Sequence, residues 1–183
     1  MSFSAFLDRI RSPGLRQVAL SWRAARDGRT MPAGRAIDLA PLERHRLMVW
    51  SYAYDRRTGS FAARGQQGVK PDQVRTDDDL GALSEHHRRV VDGPSLMYGH
   101  GCAFRHRGRV AIGERIALPL ARDGTLADGL IGAIAYERTF GVASARAVDR
   151  PYEDLRCEFF ALDPALSVVP GRDDAARADG RES

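Results

Sequence analysis

Lysine is nearly missing from this chain. Of its 28 basic residues all but Lys70 are arginine, and they are interleaved with 24 acids to leave a formal charge of +4. No Lys/Arg block or basic stripe stands out, so the electrostatic footprint of a nucleic-acid binder is not expected. Cysteine is almost as scarce: Cys102 and Cys157 are too few for a disulfide framework and have no metal-type spacing. Long apolar runs are missing as well. No stretch approaches the ~20 apolar residues that cross a bilayer, and residues 1–11 lack the apolar core of a secretory signal. A reducing, cytoplasmic setting without membrane insertion is therefore expected. Also missing are a Gly-x-Ser-x-Gly elbow, a phosphate-binding Gly-x4-Gly-Lys-Ser/Thr loop and a His-Glu-x-x-His metal motif. No catalytic or metal-ligating set is assigned.

What is present is the composition of an ordinary soluble domain, 43% hydrophobic and 28% charged over 183 residues. Phe3, Phe6, Leu7 and Ile10 recur at i, i+3, i+4 and i+7, which predicts a short amphipathic helix stopped by Pro13-Gly14. Leu15, Val18, Ala19 and Trp22 predict a second helix with Gly28 as its C′ residue. The apolar stripe of these helices has to be covered by the domain itself, by a second copy of the chain, or by a membrane surface. Asp38 and Pro41 then mark the start of a short helix through Leu47.

Strand character follows. Met48, Trp50, Tyr52 and Tyr54 alternate with Val49, Ser51 and Ala53, and a turn at Arg57-Thr58-Gly59 makes residues 60–65 the hairpin partner. Residues 66–92 read as loop and helix, with Thr76 and Asp77–Asp79 suited to a helix N-terminus and Leu80, Leu83, Val90 and Val91 forming its apolar face. Gly93-Pro94 ends it. Residues 95–107, 110–120 and 130–136 predict three more strands, joined by turns at Arg107-Gly108 and Asp123-Gly124. The composition from Pro164 onward predicts a disordered tail. The expected class is α+β.

This order, two strands, helices, three strands, is that of the PAS fold, and several motifs resemble the PAS subfamily of short, often stand-alone bacterial proteins. They are Trp22 with Gly28-Arg29-Thr30-Met31-Pro32, then Asp38, the hairpin ending at Arg64-Gly65, and Glu114…Leu118-Pro119-Leu120…Asp123-Gly124 with Leu130-Ile131-Gly132. The resemblance covers roughly residues 21–136. It implies a five-stranded antiparallel sheet with helices between strands 2 and 3, preceded by N-terminal helices, an enclosed cavity, and self-association through flanking helices. The expected divisions are residues 1–46 for the helices and preamble, 47–137 for the PAS core, and, beyond the reach of the resemblance, 138–163 for a C-terminal extension that could pack on the core and 164–183 for the tail. The segment Gly65-Gln66-Gln67-Gly68-Val69-Lys70 departs from the subfamily's glycine-and-aromatic pattern at the pocket entrance.

Four residues are candidates for contact with a ligand. Glu114 is in phase with Val110, Ile112, Ile116 and Leu118, on the face that should point inward. A lone buried carboxylate is costly, so it needs either an arginine or solvent at a sheet edge, or a cavity ligand that it anchors. His87 follows Leu80 and Leu83 on the apolar helix face, where it is a half-buried histidine or, as a cofactor option, a haem ligand. His86 is expected to be solvated. Tyr98, His100 and Cys102 share a strand face, with His100 and Cys102 about 7 Å apart by strand rise. Two soft ligands without a third do not make a metal site, but Tyr98 and His100 suit a pocket lining. Phe3, Phe6, Leu7, Ile10 and Trp22 are the candidates for a homodimer interface.

Three functions are compatible with these residues. The first is a PAS-type regulatory module that acts on an unidentified protein partner, with or without a small-molecule ligand. The second is a small enzyme with Glu114 as general base and His87 or His100 as its partner. The third is a ligand-free interaction domain with a filled core.

Overall fold

The computed structural model describes residues 3–38, 47–67, 77–106, 109–141 and 156–162. Two short helices come first, α1 (Phe3–Arg9) and α2 (Pro13–Ala24), then a 3-10 turn at Gly34–Ala36. The strands β1 (Met48–Asp55) and β2 (Ser60–Gln67) form a hairpin, followed by the helix α3 (Asp77–Asp92). Strands β3 (Ser95–His106), β4 (Arg109–Leu120), β5 (Gly129–Gly141) and β6 (Arg156–Ala161) complete the described chain.

All pairings are antiparallel, in one sheet of order β2-β1-β5-β4-β3-β6. The expected sheet of five strands therefore has six. The additional strand is β6, whose Cys157 and Phe159 alternate with Glu158 and Phe160 and which zips onto β3 from Ser95↔Ala161 to His100↔Arg156. Between β2 and β3 the described residues hold one helix, α3, rather than several. All but Leu47 of the helix expected at 41–47 and the tail at 164–183 lie outside the described residues, as do 142–155; Leu47 itself is buried and not helical. α2 ends three residues before Gly28, on Ala25 as its C-cap, and the left-handed conformations of Asp27 and Gly28 turn the chain after it.

Strand register sorts side chains onto two faces. One carries Leu96, Tyr98, His100, Glu114, Ile116, Leu118, Ile131 and Ala133, and β6 adds Glu158 and Phe160. The N-terminal helices cover this face: Phe6 meets Phe160 edge-on at 5.5 Å, and Arg9 pairs with Glu158 at 3.0 Å. The other face carries Trp50, Tyr52, Met97, Arg115, Leu130, Ile134, Cys157 and Phe159. α3 covers it, with His87 against Tyr52 and His86 against Phe159. The result is a three-layer arrangement with an apolar core on each side of the sheet.

The first layer is part of the core and not an appendage. Phe6, Ile10, Leu15, Val18, Ala19 and Trp22 are fully buried within the chain, while Phe3 and Leu7 are partly buried against the same cluster. Phe6, Ile10 and Trp22, expected at a homodimer interface, thus pack in cis and present no surface to a second copy in this conformation. The physical reason is the free sheet face: it offers apolar area directly opposite the stripe these helices need to bury.

Candidate functional site

Besides apolar packing, one buried carboxylate ties the N-terminal layer to the sheet. Glu114, on the inward face of β4, is only 1% exposed. Its Oε1 accepts from the backbone N–H of Arg11 at 2.9 Å and from the Tyr98 hydroxyl at 2.8 Å, and its Oε2 accepts from the backbone N–H of Ser12 at 2.6 Å. Ser12 is the N-cap of α2, and its own hydroxyl accepts from the Leu15 N–H at 3.4 Å. In a capping box an acidic residue inside the helix reaches back to the N-cap N–H. Here that acceptor comes from a strand some hundred residues away in sequence, and its negative charge lies at the favourable end of the helix dipole.

Around this latch stand the other expected ligand contacts of the same face. Tyr98 is 6% exposed, and its phenol is pushed above the ordinary tyrosine range by burial first and then by the bond to Glu114. His100, directly opposite Glu114 in the register, points its Nε2 at Glu137 Oε1, 3.4 Å away. The contact does not meet the geometry of a hydrogen bond, and it is an ion pair only when the imidazole is protonated. Both side chains are partly exposed there.

His87 is on the other side of the sheet. It is 3% exposed, with its ring 5.6 Å from that of Tyr52 and 5.8 Å from that of Phe61. The four residues expected to line one pocket are therefore divided by the sheet: three lie under α1–α2 and His87 lies under α3. Alternation along a strand reveals which residues share a face, but not which helix covers it, and this is where the expectation failed. No group of three or more His, Cys, Asp or Glu side chains is placed to hold a metal among the described residues.

The α3 side has its own polar groups, which sequence reasoning missed. His86, expected in solvent, is half-buried, with Nδ1 3.7 Å from Cys157 Sγ on β6. Burial lowers the His86 pKa, and the nearby Arg115 lowers it further; burial raises that of the Cys157 thiol. Both are thus held neutral, which makes the pair a poor source of thiolate. Arg115 is buried, its guanidinium 5.7 Å from the centre of the Trp50 ring. The one available signal was the alternation in Arg156-Cys157-Glu158-Phe159-Phe160, which places Cys157 on the face of Phe159.

Comparison of the chain with family models, curated proteins and solved structures gives no match in any of the three.

The chemical capacity of the arrangement follows from how its groups are engaged. Glu114 spends both oxygens on three donors, two of them backbone amides whose positions are fixed by the α1–α2 linker. A general base needs a lone pair directed at substrate, and a ligand anchor needs one directed at a cavity. Glu114 instead couples the position of a helical layer to the strands beneath it. Nearby, Trp22 Nε1 donates to the Pro119 carbonyl at 2.8 Å, Ala121 N–H donates to Pro32 O at 3.0 Å, and Met31 N–H donates to Gly124 O at 3.3 Å. These contacts fasten the chain after α2 to the end of β4.

Proposed function

We propose that this chain is a cytoplasmic PAS-type regulatory module that works through protein–protein contact, with itself as a homodimer and with a separate protein partner. The observation that carries the reading is the strand order: two strands, a helix and three strands in sequence fold as β2-β1-β5-β4-β3, with β6 added at the edge. The meeting of the motif pieces supports it, since Trp22 and Met31-Pro32 bond to the Leu118-Pro119-Leu120 and Asp123-Gly124 segment. So does the Glu114 latch, which ties the position of the helical layer to the strands beneath it and so offers a link through which a signal could pass between them. No helix among the described residues is long and apolar enough to cross a membrane.

Native mass spectrometry of the freshly purified chain tests this reading. A dimer, or a stoichiometric complex with a co-purified protein, is the expected mass. A monomer with neither, together with turnover of a small substrate that Glu114→Gln abolishes while the fold persists, would replace the module with an enzyme. Extra mass of a few hundred daltons would add a ligand to the module.

A further inference from the structure

The first 38 residues hold seven arginines (Arg9, Arg11, Arg16, Arg23, Arg26, Arg29 and Arg35) against three aspartates (Asp8, Asp27 and Asp38). That difference of four equals the formal charge of the whole chain, so the other residues balance at 21 basic and 21 acidic. The net charge of the chain thus lies in its first 38 residues, the segment that includes the N-terminal helical layer.

Two of these arginines are held in place. The rings of Phe3 and Trp22 are stacked, 11° from parallel with centroids 6.3 Å apart. The guanidinium of Arg23 lies 5.0 Å from the Phe3 ring centre, and that of Arg26 lies 5.7 Å from the Trp22 ring centre. Arg26 is further fixed by donating Nε–H to the Arg29 carbonyl at 2.7 Å. Among the described residues no carboxylate pairs with either cation. They also oppose each other: burial first, and then the neighbouring Arg23, lower the pKa of Arg26. Among the described residues most of the five donors of each guanidinium have no acceptor, and the aromatic packing restricts their movement. Leu20 lies on the same outer face of α2, three residues before Arg23 and four after Arg16, and is 43% exposed.

We infer that the outer face at the C-terminal end of α2, with Arg23 and, in the turn just past the helix, Arg26 gripping carboxylates beside an exposed Leu20, docks an acidic segment of a partner protein that also carries an apolar side chain. The inference rests on the protein-contact reading and names the chemistry of the partner. A protein segment uses both features of the patch, whereas a nucleic acid would have no use for Leu20 and would need a continuous basic track that the balanced remainder of the chain does not supply.

The test is fluorescence anisotropy with a labelled glutamate–leucine copolymer, with polyglutamate, short duplex DNA and anionic lipid vesicles as competitors. The expected result is that the copolymer binds the full chain, that Arg23→Gln/Arg26→Gln weakens it roughly tenfold or more, and that Leu20→Ser weakens it about threefold. Thermal melts check that both variants fold. Absence of copolymer binding, tighter binding of DNA or vesicles, or an unchanged affinity of the double arginine variant overturns the inference. Native mass spectrometry separates the two levels. A double variant that loses copolymer binding but keeps the co-purified partner sinks this surface as the partner's dock and leaves the module standing; a wild-type chain with neither dimer nor partner sinks the module itself.

Discussion

The indole N–H of Trp22 donates to the carbonyl oxygen of Pro119 at 2.8 Å, in the buried interior and across 97 residues of sequence. It joins the end of α2 to the end of β4, where the chain from Met31 to Pro32 adds two backbone bonds. Trp22→Phe preserves most of the ring volume but leaves a buried carbonyl unsatisfied, at an expected cost of about 1–3 kcal/mol. Trp22→Ala also opens a cavity and should cost about 3–5 kcal/mol. Urea unfolding checks both: the midpoints should fall in that order with the m-value unchanged. Equal losses for the two variants would mean that the ring matters and the hydrogen bond does not.

Glu114 offers a sharper test, because the latch and a ligand anchor predict opposite outcomes. Glu114→Gln turns an amide N–H₂ toward at least one of three fixed donors. It should lower stability by about 3 kcal/mol in the ligand-free chain. Hydrogen exchange at Arg11 and Ser12 should accelerate with it, reporting release of the α1–α2 linker. Tyr98→Phe removes one donor and should cost less, and the two changes should be non-additive since they share an oxygen. If Glu114→Gln leaves both stability and exchange untouched, the carboxylate is not what holds the helical layer down.

Glu114 also shows how far the sequence could be read. Its phase with Ile112, Ile116 and Leu118 marked it as an inward carboxylate needing a partner, and the alternation at Met48, Trp50, Tyr52 and Tyr54 located β1 correctly. The partners themselves were invisible, because two of the three are backbone amides and carry no residue-type signature. The stripe of Phe6, Ile10 and Trp22 announced that something must cover it, and left open whether that was the chain's own sheet or another molecule. β6 was overlooked because it is a strand of only six residues with a weak alternation, completed by pairing with β3 and not by its own pattern. Placing His87 with Tyr98 and His100 failed for a topological reason: helix periodicity and strand alternation are each local, and neither tells which side of the sheet a helix occupies.

Gly132 should tolerate no side chain. A Cβ there would lie 2.3 Å from Cε2 and Cζ2 of Trp50, whose ring covers this glycine on the adjacent strand. Trp50 is 8% exposed and Arg115 lies over its ring, so the ring cannot swing away freely. Gly132→Ala is expected to destabilise by about 1–3 kcal/mol through overpacking and to shift the tryptophan emission. A melt and an emission spectrum identical to wild type would show that the Trp50 ring does not rest there.

The tyrosines set the alkaline limit of stability. Burial pushes the Tyr136 phenol up to about 12, and burial together with the Glu114 bond raises Tyr98 as well, against about 10 for the unfolded chain. The folded protein thus keeps protons that the unfolded chain releases. The stabilisation from these groups is complete below pH ~10 and is lost as pH rises toward ~12. His86 works in the other direction: its lowered pKa favours the neutral ring in the fold, so its contribution is present above the ordinary histidine range and falls away on acidification. Absorbance at the phenolate band followed beside far-ultraviolet circular dichroism tests the alkaline side. Phenolate from Tyr98 and Tyr136 should appear together with loss of secondary structure, and Tyr136→Phe should remove part of that late absorbance. Ionisation of all tyrosines near pH ~10 with the fold intact would mean that water already reaches both phenols. Since the Tyr98 hydroxyl bonds the Glu114 carboxylate at 2.8 Å, ionising it would set two negative charges against each other beneath α2, and the N-terminal helices should be the first layer to leave the sheet.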